Sequence, residues 1–202
     1  MLYAIENRDL YTVKSLLQQG FDPNIPITEY GFQPAYVAIC NCSPSILNEL
    51  ICHGADINTC SIMITTLLQA AIQLYPSDPE TSAELVHVLT RDERIYNRDI
   101  LGQCLQYASG MGYVDIVGLL LQAKSDPNYF PADDEYEMTP LVGMIFENEM
   151  LEGHQEIAKM LIASGADPFH KSGERTVLQY AQEYSRCDLI PILERRPDQY
   201  EA

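Results

Sequence analysis

Basic residues are scarce in this chain. Its 202 residues include 12 Lys and Arg against 29 Asp and Glu, a formal net charge of -17. A surface of that sign repels phosphate backbones and anionic lipid. Nucleic acid and membrane surfaces are therefore excluded as expected partners, and a basic protein is favoured. Long apolar runs are also missing: no stretch approaches the roughly 20 residues of a membrane span. The start, Met1-Leu2-Tyr3-Ala4-Ile5, runs straight into Glu6 without the basic region and apolar run of a secretory signal. The expectation is a cytoplasmic protein, or one exported without a classical signal peptide. Catalytic signatures are lacking as well. There is no His-Glu-x-x-His pair, no Gly-x-Ser-x-Gly elbow and no phosphate-cradling glycine loop. His53, His87, His154 and His170 are scattered, and each reads as a structural or surface residue. Neither catalytic residues nor a cofactor are expected.

A short phrase does recur. Gly20-Phe21-Asp22-Pro23-Asn24 returns as Gly54-Ala55-Asp56-Ile57-Asn58, degenerately as Ser125-Asp126-Pro127-Asn128, and again as Gly165-Ala166-Asp167-Pro168-Phe169. Each copy follows an apolar stripe at helical spacing, such as Ile46, Leu47, Leu50, Ile51 or Ile157, Met160, Leu161, Ile162. Glycine suits the left-handed position that ends a helix, and Asp-Pro or Asp-Ile-Asn suits the turn that follows. A shorter helix opens upstream of each stripe. Its clearest start is Thr139-Pro140-Leu141, with weaker versions at Gln33-Pro34-Ala35, Thr66-Leu67-Leu68, Gln103-Cys104-Leu105 and Thr176-Val177-Leu178. A hydroxyl there can cap free N–H groups, and proline is tolerated in the first turn. Ala38, Ala71, Ala108 and Ala181 share one register in these helices, where small side chains permit close packing.

These residues resemble the ankyrin repeat, with its Thr-Pro-Leu-His-x-Ala opening and Gly-Ala-Asp-x-Asn close. The resemblance covers nearly the whole chain. The opening His is absent throughout, replaced by Leu2, Tyr36, Gln69, Gln106, Val142 and Gln179. The resemblance implies an all-α solenoid of about six helix-turn-helix units with β-hairpin-like fingers. The units fall at about 1–24, 31–58, 64–97, 101–128, 137–170 and 174–196. Together they make a single domain, 1–196, followed by a tail, 197–202. The outer units are truncated, as capping repeats would be. Two departures stand out inside the array: extra residues with two prolines at Tyr75–Thr81, and extra residues near Glu147–Gly153. Pro191 lies where the last helix should run, so that helix is expected to begin late. One cysteine cluster needs weighing: Cys40, Cys42, Cys52, His53 and Cys60. The repeat places its members at opposite ends of a helix roughly 13 Å long, too far apart for a tetrahedral zinc site. All six cysteines therefore read as free thiols, and no metal is expected.

The resemblance implies that partner contacts fall on the positions free to vary, the finger tips and two residues late in each first helix. Here those pairs include Gly110-Met111, Phe146-Glu147 and Glu183-Tyr184. The longest finger, residues 129–138, carries Tyr129, Phe130, Asp133, Asp134, Glu135, Tyr136 and Glu137. Aromatics offer apolar contact area, and acids steer a basic partner. The candidate site is thus Met111, Tyr129, Phe130, Asp133, Asp134, Glu135, Tyr136, Glu137, Phe146, Glu147, Glu183 and Tyr184. The resemblance implies a non-catalytic protein–protein interaction module, favoured as a monomer, gripping a basic protein. A bacterial inhibitor or immunity protein against a toxin is one version; a secreted effector or adaptor that binds a host protein is the alternative. An enzyme of unrecognised class is the least favoured reading.

Overall fold

The computed structural model describes residues 1–58, 66–91, 98–132, 137–146 and 153–194. It packs as two compact units, Met1–Asn97 and Arg98–Ala202.

The first unit holds α1 (Leu2–Glu6), α2 (Leu10–Gln18), α3 (Pro34–Cys40), α4 (Pro44–Cys52), α5 (Leu67–Gln73) and α6 (Pro79–Thr90). Local chemistry sets where each begins. Pro34, Pro44 and Pro79 sit in first turns, where no N–H is required. Asp9 caps α2 by accepting from the Thr12 N–H and hydroxyl. Thr66 and Gln69 form a reciprocal capping box on α5. Helices α1, α3 and α5 pack side by side in one layer, and α2, α4 and α6 in a second. The seam between the layers is Ile5, Val13, Ala38, Leu47, Leu50, Ala71 and Leu85, all without measurable exposure. Alanine at 38 and 71 is what lets the first helices approach that seam so closely.

The second unit repeats the plan with α7 (Arg98–Gly110), α8 (Val114–Gln122), α9 (Pro140–Phe146), α10 (His154–Ala163), α11 (Val177–Glu183) and α12 (Ile190–Leu193). Helices α7, α9 and α11 form one layer; α8, α10 and α12 form the other. Ala108, Ile116, Val142, Ile157, Leu161 and Ala181 are completely buried between them. Strands β1 (Lys171–Ser172) and β2 (Arg175–Thr176) pair antiparallel, Lys171 opposite Thr176 and Ser172 opposite Arg175. Gly173 opens the two-residue turn with φ +62°. Among the described residues this is the finger whose strands pair. Helix α7 starts at Arg98, earlier than the unit boundary near 101 that the repeat spacing suggested. Helix α12 starts at Ile190 with Pro191 in its first turn, as the proline rule required.

One turn geometry recurs after eight of the twelve described helices. After first helices, Arg8, Cys42, Gly112 and Ser185 take positive φ; after second helices, Gly20, Gly54, Lys124 and Gly165 do so. In each case the next residue's N–H returns to a carbonyl five residues back, as from Ala55 to Leu50 O (2.9 Å) and Arg186 to Ala181 O (2.8 Å). These bonds satisfy carbonyls that the helix leaves open. Lys124 therefore stands where α2, α4 and α10 are followed by glycine.

Candidate functional site

The repeated Asp-x-Asn phrase builds the base from which the fingers project. Asp22, Asp56, Asp126 and Asp167 each accept from the N–H two residues on, a turn that Asp makes with its own backbone. The Asn then reaches the next repeat. Asn24 donates to Gly54 O (3.0 Å) and accepts from Asp56 N–H (2.8 Å). Asn128 does the same with Gly165 O (2.9 Å) and Asp167 N–H (2.8 Å). Neighbouring repeats are thus tied together through backbone groups at the bases of the fingers.

Beyond Asn128 the long finger begins. Tyr129 lies against the bare backbone of Gly102 on α7, filling the space a side chain would need there. Phe130 faces the next finger, its ring 5.9 Å from His170. His170 Nε2 lies 3.3 Å from Glu137 O and 3.7 Å from the Glu137 carboxylate. Glu137 itself has φ +48°. Gln106 donates to Met138 O, so α7 holds the finger at both ends. Asp133, Asp134, Glu135 and Tyr136, the acidic tip singled out from sequence, lie outside the described residues, as does Glu147.

The helix-end residues make a second cluster. Phe146, the last residue of α9, meets Tyr180 of α11 and Tyr184, which caps that helix, edge-to-face, with ring centroids 5.1 and 5.0 Å away. Tyr180 is nearly buried and donates from its hydroxyl to Ser172 O (2.9 Å). Tyr184 stays 49% exposed. The Arg175 guanidinium lies over the Tyr180 ring, 5.8 Å from its centroid, and pairs with Glu183 at 3.3 Å. Met111 and Tyr107 add partly exposed apolar surface at the end of α7. The structure therefore brings Phe146, Glu183 and Tyr184 together, and separately Phe130 and Glu137. The β1–β2 hairpin touches both groups, with His170 at its base and Arg175 on its second strand.

Sequence reasoning missed Tyr180 and Arg175. The signal was available for Tyr180, one turn before Tyr184 on the same helix face. It also missed a buried network. His154 is completely buried, with Nε2 2.8 Å from Gly110 O and Nδ1 3.0 Å from Nη2 of Arg186. Arg186, also buried, forks onto Asp188 and donates to Met144 O. Burial raises the Asp188 carboxyl, but the Arg186 guanidinium outweighs it and holds the group below the usual range.

Among the described residues the cysteines do not gather into one cluster. Cys40 and Cys42 border the α3–α4 turn, while Cys52 ends α4; Cys60 lies outside the described residues. Among the described residues no three His, Cys, Asp or Glu converge as metal ligands. No helix among them is long and apolar enough to cross a membrane.

No family model and no curated protein matches the sequence. Solved structures do. An ankyrin repeat domain from Acinetobacter baumannii aligns at TM-score 0.77 with 21% identity, over 95% of this chain and 94% of its own. The ankyrin repeat protein EF0377 aligns at TM-score 0.74 with 27% identity, over 96% of each chain. The ankyrin repeat domain of Bcl-3, a member of the IkappaB protein family, aligns at TM-score 0.73 with 17% identity, over all of this chain and 85% of its own.

Proposed function

We propose that this chain, an ankyrin-repeat protein, is a non-catalytic recognition module that holds a basic partner protein on its C-terminal repeats. The observation that carries this reading is the aromatic corner of Phe146, Tyr180 and Tyr184, set beside Glu183 in a chain of net charge -17. Tyr184, half exposed on this base of packed rings, offers apolar contact area with a polar handle, and the neighbouring acid sets approach and register. The long finger adds Phe130 and Glu137, which meet His170 at the base of the same hairpin. A dedicated inhibitor fits this chemistry, in the manner of an immunity protein that neutralises a basic toxin.

The experiment separates the two contributions. The partner is isolated by co-purification from the native source and its binding kinetics measured. Reversing charge at Asp133, Asp134, Glu135 and Glu137 should slow association and flatten its salt dependence. Phe130→Ala, Phe146→Ala and Tyr184→Ala should instead speed dissociation. If neither set alters binding of the isolated partner, the C-terminal repeats are not the recognition surface.

A further inference from the structure

The aromatic corner already holds a cation. Arg175 reaches across from the hairpin, lies over Tyr180 and pairs with Glu183. We propose that this corner is an arginine-binding site, filled in the free chain by Arg175, and that an arginine of the partner takes its place. The proposal rests on the recognition reading above and names the side chain recognised.

Three features support exchange. First, the site has the components a guanidinium needs. A ring face provides the cation–π contact and a carboxylate lies alongside to accept hydrogen bonds. Phe146 fixes the tilt of both tyrosines by packing edge-to-face on each. A planar guanidinium can lie flat on the ring and bond the carboxylate through its edge at once; an ammonium is a point charge without that flat face or fork. Second, Arg175 is loosely committed. Its side chain is 54% exposed and that of Glu183 49%, and ion pairs so placed are worth little. Third, the hairpin does not depend on the Arg175 side chain. Lys171 pairs with Thr176, Val177 N–H reaches His170 O (3.2 Å), and Tyr180 anchors Ser172 O. The finger can therefore keep its shape when Arg175 swings out. Anionic ligands are disfavoured at the same place by Glu183.

The test uses blocked Gly-Arg-Gly and Gly-Lys-Gly tripeptides titrated onto the intact chain, with the ring signals of Tyr180 and Tyr184 followed by NMR. Removing the internal competitor by Arg175→Ala should tighten the arginine peptide by about three- to thirty-fold. The lysine peptide should gain less. Arg175→Lys should fall between wild type and Arg175→Ala, which guards against a folding effect of the alanine. Glu183→Gln and Phe146→Ala in the Arg175→Ala background should return affinity to the wild-type level or below. The proposal is overturned if Arg175→Ala gives no gain, or if lysine and arginine peptides respond alike. In either case Tyr184→Ala can still weaken the isolated partner, and the broader recognition reading would then stand without its arginine.

Discussion

Nη2 of Arg186 lies 3.0 Å from Nδ1 of His154, with both side chains buried. Arg186 has only donors, so this contact makes Nδ1 the acceptor and leaves Nε2 to carry the proton toward Gly110 O. One guanidinium thereby joins the start of α10, the end of α9 through Met144 O, and the turn before α12 through Asp188. Replacing Arg186 by Ala strands a carboxylate, a carbonyl and an imidazole nitrogen together. The expected loss is about 3–5 kcal/mol, read from urea unfolding. Arg186→Lys should recover only part of it, because an ammonium cannot fork.

Lys124 holds a left-handed conformation with φ +63° where three equivalent turns carry glycine. That conformation costs an L-residue roughly 1–2 kcal/mol, partly offset by the greater freedom glycine has when unfolded. Lys124→Gly should therefore stabilise the second unit by about 0.5–1 kcal/mol. The reverse change, Gly165→Lys, should destabilise it by a similar amount in the same denaturation assay.

Asn128 makes two hydrogen bonds to the next repeat, at Gly165 O and Asp167 N–H. Both partners are exposed enough for water to replace the side chain. Asn128→Ala should then cost about 1–2 kcal/mol rather than unfold the chain. The local signature is faster amide hydrogen exchange at Asp167.

Acid stability can be predicted in sign. Asp9 and Asp78 are held below the usual carboxylate range by hydrogen bonds from Thr12 and Thr81. In Asp188, burial acts upward, but Arg186 prevails and the net shift is also downward. For each, the unfolded chain binds the proton more readily, so stability rises with pH through this range. Their contribution is complete above about pH 5 and is lost as pH falls through the unfolded and then the lowered native values. Asp188→Asn should flatten the drop in melting temperature between neutral and acid pH.

Cys104 is buried in α7, and burial pushes its thiol up to about 12. At pH 8 it holds no appreciable thiolate, the reactive form. A thiol-specific reagent should modify exposed Cys52 and Cys187 in the native protein and leave Cys104 untouched. Its modification should appear only in denaturant, following the unfolding of the second unit.

Much of the architecture was legible in the residues. Asp-Pro-Asn, Gly-Ala-Asp and Thr-Pro-Leu each act over a few neighbours, through caps and turns whose geometry is local. The apolar stripes at helical spacing then leave each helix pair with a face that only a neighbouring pair can cover. The turn at Lys124 was legible only by register, since a lysine does not advertise a positive φ.

The site divides along the same line. Sequence by itself determined that the chain is a helical repeat array, strongly acidic, with a long aromatic finger and aromatic residues late in its first helices. Those properties depend on composition and short spacing alone. Tertiary structure decided which of them meet. Phe146 and Tyr184 are 38 residues apart in sequence, yet the stacking of α9 on α11 sets their rings 5.0 Å apart. Stacking of neighbouring repeats also buries His154 against Arg186, while packing beyond the helix turns sets Tyr129 on Gly102 and Arg175 over Tyr180. Contacts of that kind arise when successive repeats fix their helices side by side, and no local pattern encodes the register in which side chains from different repeats come together.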